Sequence, residues 1–213
     1  MTGSGEHSSD ARHSAVAATI LDRWNLTVAD LTAIVDANPS LRGMLLGYAA
    51  ELKLTELLQA NPNVSESIKY DDHDRRRKGD RVVVYKGRRF IFECKSLQTN
   101  SVRQTPDGWT GRAQVDASDR REVTLPDGSR LVTTCLKVGE FDVLAVSLFA
   151  FGSKWRFAFA RNRDLPRTTF RRYSPEQRSQ LLATLVQVAW PPRPPFQTDV
   201  FALLDEMLRE RSA

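Results

Sequence analysis

Cysteine is scarce, with two in 213 residues, Cys94 and Cys135. That excludes a disulfide scaffold. Neither thiol has a second Cys or a His at metal-ligand spacing, and the chain has three histidines in all, so no zinc-type cluster is available. Long apolar runs are missing too: none approaches the ~20 residues that a membrane helix needs. The opening MTGSGEHSSDARHS has no apolar segment behind its charges, so residues 1–13 read as a flexible tail and not as a secretory signal. A cytoplasmic protein, away from membranes, is the expectation. Collagen-like and low-complexity chains are excluded by 11 Gly and 10 Pro in a chain of 41% apolar residues.

What is present suits one core of good size, so a single domain is expected over residues 14–213, with helices at its N-terminal end and a helical segment at its C-terminal end. Charge is unevenly spread. Residues 1–60 hold four basic and seven acidic side chains, and the rest of the chain carries a net +8. Arginine supplies 24 of the 31 basic residues, and its fork matches phosphate geometry. A polyanion partner is one reading, and a solvated Arg-rich surface is the other.

Apolar residues recur at helical spacing over 14–37. A second helix is predicted from an N-cap at Ser40 to residue 59. A short strand follows at 64–70, then a charged loop, Asp71-Asp72-His73-Asp74-Arg75-Arg76-Arg77-Lys78-Gly79. Residues 81–85 and 89–94 are β-rich around Lys86-Gly87 and predict a hairpin. Residues 96–130 are polar with turn signals. Strands are predicted at 131–136, at 141–149 buried on both faces, and at 155–160. A helix is expected over 175–189 behind Ser174, and a last one over 198–210. The order gives an α/β fold, a mixed sheet with helices packed on it.

The hairpin carries the chemistry. Strand parity puts Ile91, Glu93 and Lys95 on one face and Phe90, Phe92 and Cys94 on the other. An even-length loop at Lys86-Gly87 pairs Tyr85 with Arg88, Val82 with Ile91 and Asp80 with Glu93. Directly opposed side chains have Cβ atoms about 4.5–5.5 Å apart, so two carboxylates there repel unless a hard divalent cation sits between them. An odd-length loop would slip the register and leave two ordinary surface acids. On the second helix Glu51 falls among Met44, Gly47, Leu54 and Leu58, away from Arg42, Lys53 and Glu56. A carboxylate in an apolar stripe needs a partner, either a salt bridge or the same cation.

Glu51, then Asp80, then Glu93-Cys94-Lys95 resembles the PD-(D/E)XK nuclease superfamily, whose fold is restriction-endonuclease-like. There a helix glutamate precedes a hairpin that supplies an Asp and a Glu-x-Lys. The likeness covers about residues 40–96, with Gly79 where the family usually has Pro. Residues 114–121 and 139–146 also look like restriction-type endonucleases. The resemblance implies a single nuclease domain with a mixed sheet flanked by helices. It implies Mg²⁺, with Mn²⁺ able to substitute, held by Asp80, Glu93, the Cys94 carbonyl and Glu51. Lys95, partly desolvated beside the cation and with its pKa depressed, would orient or deprotonate the attacking water or stabilise charge on the phosphate. Double-stranded DNA is the implied substrate, cut by a restriction (type II-like) enzyme. A homodimer follows if both strands of a palindrome are cut, and a DNA methyltransferase would belong to the same system. A repair nuclease or junction resolvase would use the same residues, and a non-catalytic DNA-binding protein could keep the same fold. Arg75, Arg76, Arg77 and Lys78, beside the site, could grip phosphates. Gln114, Arg120 and Arg121 could face DNA.

Overall fold

A computed structural model describes residues 18–69 and 79–212. Tyr70 of the expected strand and residues 71–78 of the predicted loop lie outside them, and with them the expected roles of Arg75, Arg76, Arg77 and Lys78. The chain divides into two compact units, one ending at Met44 and the other beginning at Leu45.

In the first unit, α1 (Ile20–Trp24) and α2 (Val28–Ala37) each start with a threonine capping box, Thr19 with Asp22 and Thr27 with Asp30. These caps, and Asn25 in the left-handed region at φ 52°, cut the expected helical stretch in two. No residue between 18 and 44 is buried, so the core belongs to the second unit. Helix α3 (Pro39–Gln59) starts one residue before the expected Ser40. Pro39 opens it instead of closing the helix before, because a first helical residue needs no N–H.

The second unit is built on a five-stranded mixed sheet in the order β1-β2-β3-β8-β9. Its strands are β1 (Val64–Lys69), β2 (Arg81–Tyr85), β3 (Arg88–Ser96), β8 (Val143–Ser147) and β9 (Phe157–Arg161). Only the central β3–β8 pair is parallel. The predicted hairpin register holds, with Tyr85 opposite Arg88 and Val82 opposite Ile91. Lys86 (φ 48°) and Gly87 (φ 72°) both sit in the left-handed region that a two-residue turn demands. Strand β8 is buried throughout, as expected.

Between β3 and β8 the chain builds two further sheets. They contain β4 (Arg103–Thr105), β5 (Gly108–Gln114), β6 (Asp116–Thr124) and β7 (Arg130–Cys135). The polar loop expected over 96–130 is therefore mostly strand. Strand β5 pairs with β10 (Leu185–Trp190) and with β4, while β6 and β7 form a two-stranded ribbon. The helix expected over 175–189 ends early as α4 (Pro175–Gln180), and its second half is β10. Val186 and Val188 are buried while Leu185 and Gln187 are exposed, a period of two that the apolar run conceals. Helix α5 (Val200–Ser212) closes the chain, with Asp199 accepting from the Phe201 and Ala202 amides at 2.9 and 3.0 Å.

The two faces of the main sheet carry separate cores. Phe90, Phe92, Val143, Ala145 and Phe159 pack on Leu54 and Leu58 of α3 and on Leu203 and Leu204 of α5. Leu144, Val146, Ala158 and Ala160 pack with Ala113, Val186 and Val188 of the β5–β10 sheet. Parity therefore turns Cys94 toward the helices and Glu93 and Lys95 toward the β5–β7 side. No helix among the described residues is long and apolar enough to cross a membrane.

Candidate active site

Gly79 has φ +72°, and a Cβ there would come within 2.4 Å of Ile91 Cγ2 and 2.8 Å of the Phe92 carbonyl oxygen. Only glycine fits this close approach. The turn carries Asp80 off the regular ladder, which ends with Arg81 opposite Phe92. Asp80 then binds β3 twice. Its amide donates to the Phe92 carbonyl at 2.9 Å, and its Oδ2 accepts the Cys94 amide at 2.7 Å. These two bonds straddle Glu93. The expected pairing of Asp80 with Glu93 is thus met by proximity across the hairpin and not by a ladder position.

Glu93 is 7% exposed, and Lys95 Nζ lies 2.7 Å from its Oε1. Burial pushes the Glu93 carboxyl up to about 7; Lys95 pulls against the rise, while Asp80 and Glu140 add to it. Burial opposes the Lys95 charge, yet the Glu93 and Asp80 carboxylates outweigh it and hold the ammonium above its ordinary value. Two acids face the ammonium, and their attraction exceeds its loss of hydration; the expected depression concerns Lys95 beside a bound cation. Burial also pushes the Cys94 thiol far up, so it stays neutral.

The carboxylates and Lys95 open into a cleft of about 430 Å³. Residues 116–122 of β6 and Glu140 form its wall. Between the pairs Asp116–Cys135 and Arg121–Thr133, β6 places four residues against one on β7. The longer side, residues 117–120, bulges over the cleft, where such irregularities re-aim side chains. Exposed Arg120 lies on this bulge and donates a long 3.5 Å bond to the Val132 carbonyl. Arg121 is committed elsewhere: it grips buried Glu140 with contacts of 2.6 and 2.7 Å. Glu140 also accepts the Lys137 amide at 2.9 Å. Gln114 bonds Gln98 and Asp116 and does not line the cleft. Glu140 carried no expected role; the signal for it was an acid between Gly139 and Phe141, just ahead of the apolar run of β8.

Glu51 is not in the cleft lining. It comes from α3, on the Cys94 face of the sheet, and Lys69 Nζ lies 2.8 Å from its Oε2. Arg81, buried beside it, donates to Ser67 Oγ at 3.0 Å and feels the Glu51 and Asp80 charges. Of the two expected partners, the geometry presents a salt bridge. Glu51→Gln is expected to cost about 1 kcal/mol, lowering the melting temperature by roughly 2–4 °C, with the divalent-cation requirement unchanged. A thermal melt beside a Mg²⁺ titration checks this; an unchanged melt with a raised Mg²⁺ requirement would restore Glu51 to the metal.

The raised Glu93 pKa carries a sign for stability. From its ordinary 4.5 up to about 7, the folded chain keeps a proton that the unfolded chain has lost, so stability falls as pH rises through that window. Lys95 adds no slope there, because its charge is constant below its ordinary 10.5. Glu93→Gln escapes the loss and should gain on wild type by about 3 kcal/mol between about pH 5 and about pH 8. Melting curves of both proteins at the two pH values check this, and an unchanged difference between them would show that Glu93 does not titrate in the window.

Among the described residues, no group of three or more His, Cys, Asp or Glu side chains is placed to hold a metal. The donor set is two carboxylates, each with one oxygen on a protein donor. That fits Mg²⁺, which takes one or two carboxylates and keeps several waters, and fits no softer ion. Comparisons with protein-family models, with curated proteins and with solved structures found no match.

Proposed function

We propose that this protein is a Mg²⁺-dependent endonuclease of restriction-endonuclease-like fold that hydrolyses phosphodiester bonds of double-stranded DNA, most simply as a restriction (type II-like) enzyme. The observation that carries the reading is Asp80 bonded to both neighbours of Glu93, with Lys95 2.7 Å from the same carboxylate. A buried acid, a half-buried one and an ammonium lining an open cleft suit a reaction that gathers negative charge on a phosphate. Asp80, Glu93 and the Cys94 carbonyl would hold the cation. When bound, Mg²⁺, or Mn²⁺ in its place, would neutralise and polarise the scissile phosphate.

The chain's own residues do the rest. Burial keeps Glu93 and Lys95 out of bulk water, which strengthens every charge interaction between them. Lys95 is an ammonium here, so it is set to donate hydrogen bonds and charge to a phosphate oxygen. It could take a proton from water only after losing its own. Arg120 on the exposed bulge is placed to meet the DNA backbone, and the net +8 beyond residue 60 favours a polyanion. A homodimer would let two such clefts cut both strands of a two-fold site, alongside a DNA methyltransferase of the same specificity.

Incubation with supercoiled plasmid tests the reading. Nicked or linear product is expected with Mg²⁺ or Mn²⁺, and none with EDTA or with Ca²⁺ alone. Full activity in EDTA would sink the two-carboxylate mechanism. Binding without cleavage under every cation would make the chain a non-catalytic DNA-binding protein.

A further inference from the structure

We infer a second nucleic-acid contact, beside the β6–β7 ribbon that walls the cleft: a single-stranded nucleotide whose base stacks on Phe170 and whose phosphates meet Arg171 and Arg172. It rests on nucleic acid being the ligand of the cleft.

The segment 167–173 reads Arg-Thr-Thr-Phe-Arg-Arg-Tyr, basic residues around aromatics. Its start is anchored, with Thr168 buried and its amide on the Leu181 carbonyl at 3.0 Å. Beyond that point the chain turns outward, and Phe170 is 54% exposed. One exposed aromatic is ordinary. This ring, however, is held from outside the core. Tyr173 meets it edge-on at 5.7 Å, and the Arg172 guanidinium lies 5.4 Å from its centroid. Tyr173 is itself fixed by a 2.8 Å hydrogen bond with Thr133.

Beside the ring is a cavity of about 440 Å³, lined by Phe170, Tyr173 and the threonines Thr134, Thr169 and Thr184, among others. That lies within the roughly 300–1,000 Å³ of small-ligand sites. Threonine hydroxyls both donate and accept, which suits the mixed edge of a nucleobase. Charge supplies the rest. Arg171 and Arg172 form no ion pair among the described residues. Arg167 spends its guanidinium on the carbonyls of Arg163, Leu165 and Ser179, so no carboxylate cancels it. Glu176, the next acid along the chain, is engaged by the Ser174 hydroxyl.

The ribbon ties this surface to the cleft. Thr133, which holds Tyr173, sits opposite Arg121, and Cys135 of the cavity wall sits opposite Asp116. Arg121 and Asp116 line the cleft. Neighbouring strands are about 5 Å apart, so a nucleic-acid strand passing from one site to the other crosses a single narrow ribbon. A duplex keeps its base faces stacked, whereas a single strand can offer one to an exposed ring; that selects a single-stranded ligand.

The test is fluorescence anisotropy of a labelled single-stranded oligonucleotide with the full chain in EDTA. Phe170→Ala should bind about tenfold more weakly. Phe170→Trp should bind at least as well as wild type, its added indole fluorescence quenched by the oligonucleotide. Removing Arg171 and Arg172 together should flatten the log–log salt dependence by about 1.4. Wild-type affinity in Phe170→Ala overturns the contact, including the case where only the arginines matter and the patch is merely electrostatic. Poly-glutamate competing as well as the oligonucleotide overturns it in favour of an acidic protein partner. Plasmid cleavage with Mg²⁺, run in parallel on wild type, reports on the cleft alone: cleavage present with no binding loss in the variants rejects the second contact and leaves the nuclease reading standing.

Discussion

Cleavage is expected to vanish in Asp80→Ala and in Glu93→Ala, falling by roughly 10³-fold or more, while DNA binding in Ca²⁺ persists. A loss of that size is about 4 kcal/mol of transition-state stabilisation. Binding survives because removing a negative charge from the cleft cannot weaken attraction to phosphate. The amide replacements sharpen the test. Asp80→Asn keeps an oxygen to accept the Cys94 amide, so the turn at Gly79 and the hairpin end stay tied. Glu93→Gln loses the charge that burial resists, so above about pH 7 it should be at least as stable as wild type and yet inactive. Lost activity in a more stable protein cannot be blamed on unfolding. The readout is plasmid cleavage over time, with a melt of each variant. A near wild-type rate in either alanine variant removes that residue from the reaction.

The β2–β3 hairpin was legible because everything that sets its register is local. The two strand runs are contiguous, and Lys86-Gly87 suits one turn type with one parity. Strand β8 was legible because an unbroken apolar run of its length has few other places to go. The strands β5 and β10 were not, because each becomes a strand by pairing with the other, some seventy residues along the chain. Leu-Leu-Ala-Thr-Leu-Val-Gln-Val-Ala reads equally well at a helical period until β5 supplies an edge. The site divides along the same line. Asp80 directly precedes β2, and Glu93 and Lys95 lie on β3, so the local register of one hairpin brings them together. The partner of Glu51 is Lys69, and that of Arg121 is Glu140. Neither pair is set by local spacing, since each joins elements that meet only in the fold. The charge on Lys95 without the cation likewise depends on two carboxylates whose placement only the folded chain defines.

Lys95→Ala is expected to lose about 10²–10⁴ in rate at neutral pH, the range for a group that handles a proton or its charge in the transition state. Two causes would give this loss, and pH separates them. Lys95 is the cation beside Glu93, so its removal leaves a buried carboxylate that holds its proton to higher pH. If that were its whole role, raising the pH would ionise Glu93 again and restore the rate. If Lys95 instead acts on the phosphate, the deficit persists at high pH. Persistence is the expected result, with a modest rise in the Mg²⁺ needed for half-maximal rate below about pH 8. Lys95→Arg completes the comparison. It keeps a positive charge near Glu93, so the Mg²⁺ requirement should return toward wild type. Its planar fork cannot reproduce the compact ammonium and cannot give up a proton at working pH, so the rate should stay low. The pH–rate profiles of the three proteins, each with its Mg²⁺ titration, decide the matter. Full recovery of Lys95→Ala at high pH would reduce Lys95 to a keeper of the Glu93 charge. Full activity of Lys95→Arg would leave it a fixed charge with no part in proton transfer.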